Sequence, residues 1–592
     1  MRIGVDFDRV LFDTDEFSEH LEQEFPGFSE SYDEAYENGY YNLERHAELL
    51  GLNEEEILDA LEDCDRFVFD RVEDFEKLGQ NHELVIVTRG DPVFQKEKLQ
   101  KSGVLNLFDN YVIVQEESKN VEGIEFLVDD REEEIERIDI PGLAIEKGDL
   151  ETVFEHLLEP DFEQVFRRYD IRGRYPSELN EYFAYRLGRS VAAFAEEEGV
   201  EKVVVGRDTK ESSRNLKKCL EYGLKNSGIS VLDIGTGPTD YVAYSAKKKD
   251  AIGVQVTSSH LPLEFNGFKL LYPEGNGFLN SDLDRVKDIF GQEDFSDGKA
   301  EIKNISGNLE EKYRSKVKGF VEGFNTDFDK KIAVDTLGGA AYSFLEQLLH
   351  ELGAEVVQVS GSSGPRIDPP DPKPDNLEEL VEKVEEREAD LGIATDMDGD
   401  RLSVFDGEEF VPGDDLLSVF AQLFDGDVVA SVDTSEALEN TIGGGRKVFY
   451  TRVGDPFVMD MALEKEVEFA GEPNGHYAFP EFVPYHSGTL AGLIAAGVDL
   501  DEMRENVPEY YTLNESVEVE DKEGKMSRFK QEVESQFEFV SEVDGIKFRS
   551  LGSTALVRPS GSSPKLRLKV ESEHEKKAEE VMSGIRDIVR NA

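Results

Sequence analysis

Short apolar runs recur along the chain, each ending in polar residues and most followed by a stretch of helical period. The first, residues 2–7, ends in Asp6 and Asp8. Apolar runs at 84–87, 111–114 and 126–128 predict further strands, with a helix over 92–102. A Tyr- and Glu-rich stretch over about 16–77 predicts helix. Strands that alternate with helices imply a parallel sheet with helices on its faces. Such sheets bind ligands at the carboxyl ends of their strands, where these runs carry their polar residues.

The alternation closes near residue 160 and restarts at Phe166. Strands are predicted at 202–205, 230–234, 251–256, 331–335, 355–359, 389–394 and 427–432, with helices such as 181–197 and 377–386 between them. The Pro-rich passage 361–374 reads as a loop. Beyond about residue 505 the pattern changes. Short strands at 547–549, 554–558 and 565–570 precede a helix over 575–590, which predicts a smaller α+β domain. No short-period repeat is visible.

Composition sharpens this picture. The 592 residues suggest about four domains. A formal charge of −64 argues against nucleic acid and anionic membranes as partners. The acidic residues are dispersed, and 39% hydrophobic residues suffice for packed cores, so the chain is no disordered tail. At molar salt the self-repulsion is screened, so the composition reads as halophilic, an adaptation to a cytoplasm of molar salt. Two cysteines, Cys64 and Cys219, make no disulfide framework or metal knot. The start has no signal-peptide pattern, and the apolar stretch at 490–498 is too short to span a bilayer. The expectation is a cytoplasmic protein.

Two sets of residues carry chemistry. In the front, Asp6 and Asp8 are placed by strand alternation on one side of the chain, suited to a nucleophile and a proton donor. Thr88 ends the next strand as a candidate phosphate ligand, and Lys98 and Lys119 are candidate counter-charges. Asp129 and Asp130, with Asp6, offer hard oxygens to Mg²⁺. The segments GVDFDRV, VTRG and LVDD resemble the haloacid-dehalogenase (HAD) superfamily. The resemblance implies a HAD-like Rossmannoid domain over 1–158 with a helical cap at about 14–77. It makes Asp6 the phosphorylated nucleophile and Asp8 the acid/base of a phosphatase. The segment between Lys119 and the acidic pair is shorter than the family usually has. A non-catalytic regulatory role is the alternative.

The second set begins with Ser259 and His260, after a predicted strand and before Asn266-Gly267-Phe268-Lys269. No GxSxG elbow accompanies the serine. Asp396, Asp398 and Asp400 alternate around Gly399, a pattern for one divalent cation that fails the EF-hand spacing. Glu472, Asn474 and His476 form a polar loop suited to hydroxyl recognition. Arg558, Ser560, Gly561 and Ser562 make a phosphate cradle. These segments, with FRRYDIRG at 166–173 and GRDT at 206–209, resemble the α-D-phosphohexomutase superfamily, most of all its phosphomannomutase/phosphoglucomutase group.

That resemblance implies three α/β/α domains, 162–297, 298–405 and 406–505, and a C-terminal α+β, TBP-like domain, 506–592. It implies an intramolecular phosphotransferase acting on small sugar phosphates, mannose or glucose, through a phosphoserine at Ser259. Asp396, Asp398 and Asp400 would hold Mg²⁺ with the Ser259 phosphate. Arg172 and Lys269 would support proton transfer, with His260 and Arg401 flanking the centre. Glu472, Asn474 and His476 would read sugar hydroxyls. A hexose 1,6-bisphosphate would be the intermediate and activator. Phosphoglucosamine mutase is the alternative. The sequence departs from the family at Leu261, Asn474, Ser563 and Pro456.

Overall fold

The computed structural model describes residues 1–37, 40–115, 118–293, 295–359, 361–560 and 564–591. The chain forms two compact units. The front unit is Met1–Val165 with Gly173–Arg189 and Asn215–Leu224, and the back unit is the remainder. Packing of the front unit therefore reaches past residue 158. Asn180 Nδ2 donates to the carbonyls of Glu155 and Leu158 at 2.8 and 2.9 Å.

The front unit is built on five parallel strands in the order Asn110–Val114, Glu83–Arg89, Arg2–Val5, Phe126–Asp129 and Gly142–Ala144. Val5 lies opposite both Ile86 and Val128, so Asp6, one residue on, stands beside Asp129. The predicted first strand stops at Val5 instead of running to residue 7. Asp8 reaches the site through a turn in which Arg9 takes φ +66°, not through strand alternation. Between 14 and 77 the chain is not all helical. Helices Thr14–Glu24, Phe28–Tyr32, Leu43–Leu50 and Glu54–Asp59 are interrupted by an antiparallel pair, Tyr36–Glu37 with Tyr40–Tyr41. Tyrosine favours the pleated strand surface, which explains the interruption.

The back unit repeats one plan three times. Its first sheet places Ile302–Asn304, Ser230–Thr236, Lys202–Arg207 and Ile252–Val256 in parallel, then Phe265–Leu271 antiparallel to the last of them. The second runs Glu355–Gln358, Lys331–Asp335 and Leu391–Thr395 in parallel, then Leu402–Phe405 antiparallel. The third runs Val448–Thr451, Val428–Ser431 and Phe469–Gly471 in parallel, then Tyr477–Ala478 antiparallel. In each, the turn into the antiparallel strand carries one chemical segment: Ser259, the three aspartates, or Glu472–His476. The last domain is an antiparallel sheet ordered Tyr511–Glu518, Lys565–Ser572, Ser553–Pro559, Ile546–Ser550, Glu538–Ser541, covered by helices Lys522–Gln536 and Glu575–Asn591.

The apolar stretch near 490 is the helix Gly488–Gly497, and every residue in it is buried. A helix apolar all round belongs to a protein core. Among the described residues no helix is long and apolar enough to cross a membrane.

Candidate active sites

In the back unit Ser259 lies in the turn after the fully buried strand Ile252–Val256 and adopts φ +55°, an uncommon backbone state for a residue with a side chain. Its Oγ donates to Asp396 Oδ2 at 2.6 Å and lies 3.2 Å from His260 Nδ1. Lys210 fixes the loop beneath it. Its Nζ donates to Ser258 Oγ at 2.5 Å, to the Phe265 carbonyl at 3.0 Å, and to the carbonyls of Leu261 and Pro262 at 3.3 Å. Sequence reasoning stopped one residue short of Lys210. Its place directly after GRDT was the available signal.

Asp396, Asp398 and Asp400 are buried, with carboxylate oxygens within 4.8 Å of one another. Lys269 Nζ bridges Asp398 Oδ2 at 2.6 Å and Asp400 Oδ2 at 2.5 Å. Asp398 Oδ1 is buried without a hydrogen-bonding partner. An orphaned carboxylate oxygen within a hard-oxygen cluster fits a divalent cation. Gly399 turns this loop at φ +70°, and a Cβ there would come within 3.0 Å of Ala341 Cβ and Pro238 Cβ.

His476 forms ion pairs with Asp400 at 3.2 Å and with Glu472 at 3.3 Å. Burial opposes its charge, yet these carboxylates outweigh burial and hold the imidazole up at about 9. Glu472 also accepts from the Gly454 N–H at 2.8 Å. Arg401 lies 3.7 Å from Asp371, and its backbone N–H donates to Asp396. Arg172 pairs with Asp170 at 2.6 Å.

A cavity of about 630 Å³ brings Asn474 together with Arg558, Lys565, Arg567 and Lys569. Arg558 faces Asp433 at 3.6 Å and Asp544 at 3.4 Å. Alternation along Lys565–Ser572 puts Lys565, Arg567 and Lys569 on one face. Arg567 and Lys569 were legible by that period of two but not singled out. Ser560 ends the neighbouring strand, bonded backbone to backbone with Lys565. Gly561 and Ser562 lie outside the described residues.

The front unit holds a second acidic cluster, Asp6, Asp129 and Asp130, again with oxygens within 4.8 Å. Lys119 Nζ sits 2.6 Å from Asp6 Oδ2 and 2.7 Å from Asp129 Oδ2. The short segment before the acidic pair therefore still delivers this lysine to the cluster. Burial pushes the Asp6 carboxyl up to about 7 despite Lys119. Asp130 pairs with Arg9 at 2.9 Å. Asp8 is half-buried, and its ion pair with Lys98 and hydrogen bonds from Thr14 and Gln95 outweigh desolvation and hold it down at about 2. Thr88 points its hydroxyl at Asp8, 3.3 Å away. Asp6, Asp8, Lys98 and Lys119 line one cavity of about 410 Å³.

Comparison with known proteins bears on residues 163–588. Four family models match in order: phosphoglucomutase/phosphomannomutase α/β/α domain I over 163–297, domain II over 311–409, domain III over 412–512, and the C-terminal domain over 515–588. A relative from Methanothermobacter thermautotrophicus, named "Probable phosphoglucosamine mutase", is 32% identical over 449 residues, covering 72% of this chain and 98% of its own. The "Phosphoglucomutase/phosphomannomutase" of Thermococcus kodakarensis is 32% identical over 446 residues, covering 71% and 97%. A phosphoglucomutase/phosphomannomutase family protein from Burkholderia thailandensis shares the fold with a TM-score of 0.66 at 22% identity, covering 72% of this chain and 97% of that one.

Proposed function

The chain belongs to the phosphoglucomutase/phosphomannomutase family of the α-D-phosphohexomutase superfamily, and on that premise we propose that its back unit interconverts hexose 6-phosphate and hexose 1-phosphate. The observation that carries the proposal is the buried Ser259 Oγ hydrogen-bonded to Asp396 of the aspartate loop. Phosphorylated Ser259 transfers its phosphoryl group to a sugar hydroxyl. The Oγ–P bond breaks, a bond from the sugar oxygen to phosphorus forms, and the hydroxyl proton is taken up within the site. The resulting hexose 1,6-bisphosphate turns over and returns its other phosphate to Ser259.

Positioning and charge stabilisation carry most of such a reaction. Lys269 and Arg172 support the proton transfer and the charge of the moving group, flanked by His260 and Arg401. Glu472, Asn474 and His476 read the sugar, and Arg558 with Ser560 holds the phosphate that is not transferred. Asp396, Asp398 and Asp400 would hold Mg²⁺, which supplies Lewis-acid neutralisation of phosphate charge.

The test is a mutase assay in molar KCl with Mg²⁺ and a trace of hexose 1,6-bisphosphate. Ser259→Ala should lose turnover; an active Ser259→Ala chain refutes the phosphoserine route. Mannose, glucose and glucosamine 1-phosphates belong in one panel. The name of the Methanothermobacter relative favours glucosamine as a second reading, and that of the Thermococcus relative favours glucose and mannose.

For the front unit the reading is a HAD-type phosphatase with Asp6 as nucleophile and Asp8 as acid/base. Lys119 between Asp6 and Asp129 supports it, since that ammonium can neutralise an aspartyl-phosphate. Asp6, Asp129 and Asp130 would hold its Mg²⁺. Asp6→Asn should abolish phosphate release from monoesters. Equal release by both chains would leave the regulatory role.

A further inference from the structure

The cavity of the front unit is polar at one end and aromatic at the other. Its volume of about 410 Å³ falls in the range of small-molecule sites. Beyond Asp6 and Asp8 its wall is formed by Phe17, Tyr32, Tyr36, Tyr40, Tyr41 and Phe94. The rings support one another. Tyr32 stacks on Tyr41 with centroids 5.3 Å apart, Tyr36 meets Tyr32 edge-on at 5.5 Å, and Phe94 packs against Tyr41 at 5.1 Å. The antiparallel pair Tyr36–Glu37 and Tyr40–Tyr41 supplies three of these rings, and Tyr36 remains 45% exposed.

A hexose ester would need hydrogen-bonding groups that are free to read its hydroxyls. Several polar side chains of this wall are already bonded, while Gln95 Oε1 is buried without a hydrogen-bonding partner. Asp91 accepts from the Val93 and Phe94 N–H groups at the start of helix Pro92–Ser102. Asp15 accepts from Arg9 and Lys147. Gln95 donates to Asp8 and to the Arg89 carbonyl. Most of the wall is nonetheless aromatic surface, four of its rings tyrosines, and such surface binds flat rings by stacking.

We propose that this cavity takes phosphate monoesters of a primary alcohol bearing a flat aromatic ring, with the phosphate at Asp6 and the ring against the tyrosines. The substrate class rests on the phosphatase reading given above. Two sources share the chemistry: nucleoside 5′-monophosphates, and smaller single-ring esters. In either case the ester P–O bond breaks, phosphorus passes to an Asp6 oxygen, and the leaving alcohol oxygen takes a proton delivered through Asp8, which regains one from the water of the next step. Water then cleaves the aspartyl-phosphate to Asp6 and inorganic phosphate.

The test measures phosphate release by the full chain from benzyl phosphate, adenosine 5′-monophosphate, glucose 6-phosphate and glycerol 3-phosphate. All four leave as primary alcohols, so leaving-group chemistry is matched. At least one ring ester should exceed glucose 6-phosphate tenfold or more in kcat/KM, and the better of the two names the source. Tyr36→Ala, at an exposed position, should lower kcat/KM for the ring esters at least threefold more than for glycerol 3-phosphate. Equal or faster hydrolysis of glucose 6-phosphate overturns the proposal. Release from none of the four overturns the phosphatase reading alone, and binding then decides the cavity. Benzyl phosphate bound at least threefold more weakly by Tyr36→Ala keeps the assignment; unchanged binding overturns it.

Discussion

The two acidic clusters solve one electrostatic problem in the same way on unrelated sheets. Asp6 with Asp129, and Asp398 with Asp400, are buried carboxylates that repel each other, and in each pair one lysine ammonium lies within 2.7 Å of both. Buried like charges are tolerated only when neutralised. The surroundings then diverge. The front cluster opens into a cavity walled by aromatic rings, most of them supplied by residues 17–41. The back cluster is ringed by turns from three sheets, which bring Ser259, the aspartates and His476 together. The carboxylate–lysine unit is therefore common to both clusters, and it is their surroundings that differ.

The strongest way to break this equivalence is to remove the lysines. Lys119→Met and Lys269→Met each strand two buried carboxylates, which should cost about 3–5 kcal/mol. Hydrogen exchange read separately over 1–158 and 331–405 assigns each loss to its own cluster. Millimolar Mg²⁺ should restore part of it in both, because a cation replaces the missing charge. If Mg²⁺ rescues one variant and not the other, the two clusters are not equivalent.

These clusters were partly legible in the sequence. Carboxylates at strand ends, and the helices Pro92–Ser102 and Glu181–Glu197, follow from local periodicity and appear at their expected bounds. The threefold sheet plan was legible only through the resemblance, which implies three α/β/α domains, and not from local pattern. Its repeat lies in strand order and direction, while the turn residues that would mark it differ completely between Ser259, Asp396–Asp400 and Glu472–His476. Lys119 joins Asp6 across a sheet, a contact no spacing rule reaches. Lys210 is one unremarkable residue after a motif, and its four acceptors come from the backbone and side chain of a loop about 50 residues away in sequence.

A smaller contrast lies in the turns. The back loop turns on Gly399 at φ +70°, the front on Arg9 at φ +66°. Gly399→Ala adds left-handed strain and a Cβ into a filled space, an expected loss of about 2–3 kcal/mol. At the front the strain is already present, so Arg9→Gly should be more stable than Arg9→Ala by about 1 kcal/mol. Urea unfolding of the variants checks both. A Gly399→Ala chain as stable as the parent would show that the aspartate loop is looser than its packing implies.

Histidines give the finest separation. In the back unit, carboxylates hold His476 charged. In the front, His82 is buried against the Leu157 carbonyl, with the N-terminal ammonium beside it. Burial, reinforced by that ammonium, pushes its imidazole down to about 3. A group with a depressed pKa binds protons more readily in the unfolded chain, so stability falls as pH drops below the unfolded value of about 6.5. Between pH 8 and 5.5 the front unit should lose about 1.4 kcal/mol from this residue alone. His82→Gln, which keeps a donor for Leu157 but cannot titrate, should flatten that part of the acid limb. Hydrogen exchange over 1–158 at the two pH values measures it. An acid limb equally steep in His82→Gln would move the acid sensitivity of the front unit away from His82 and onto its carboxylates.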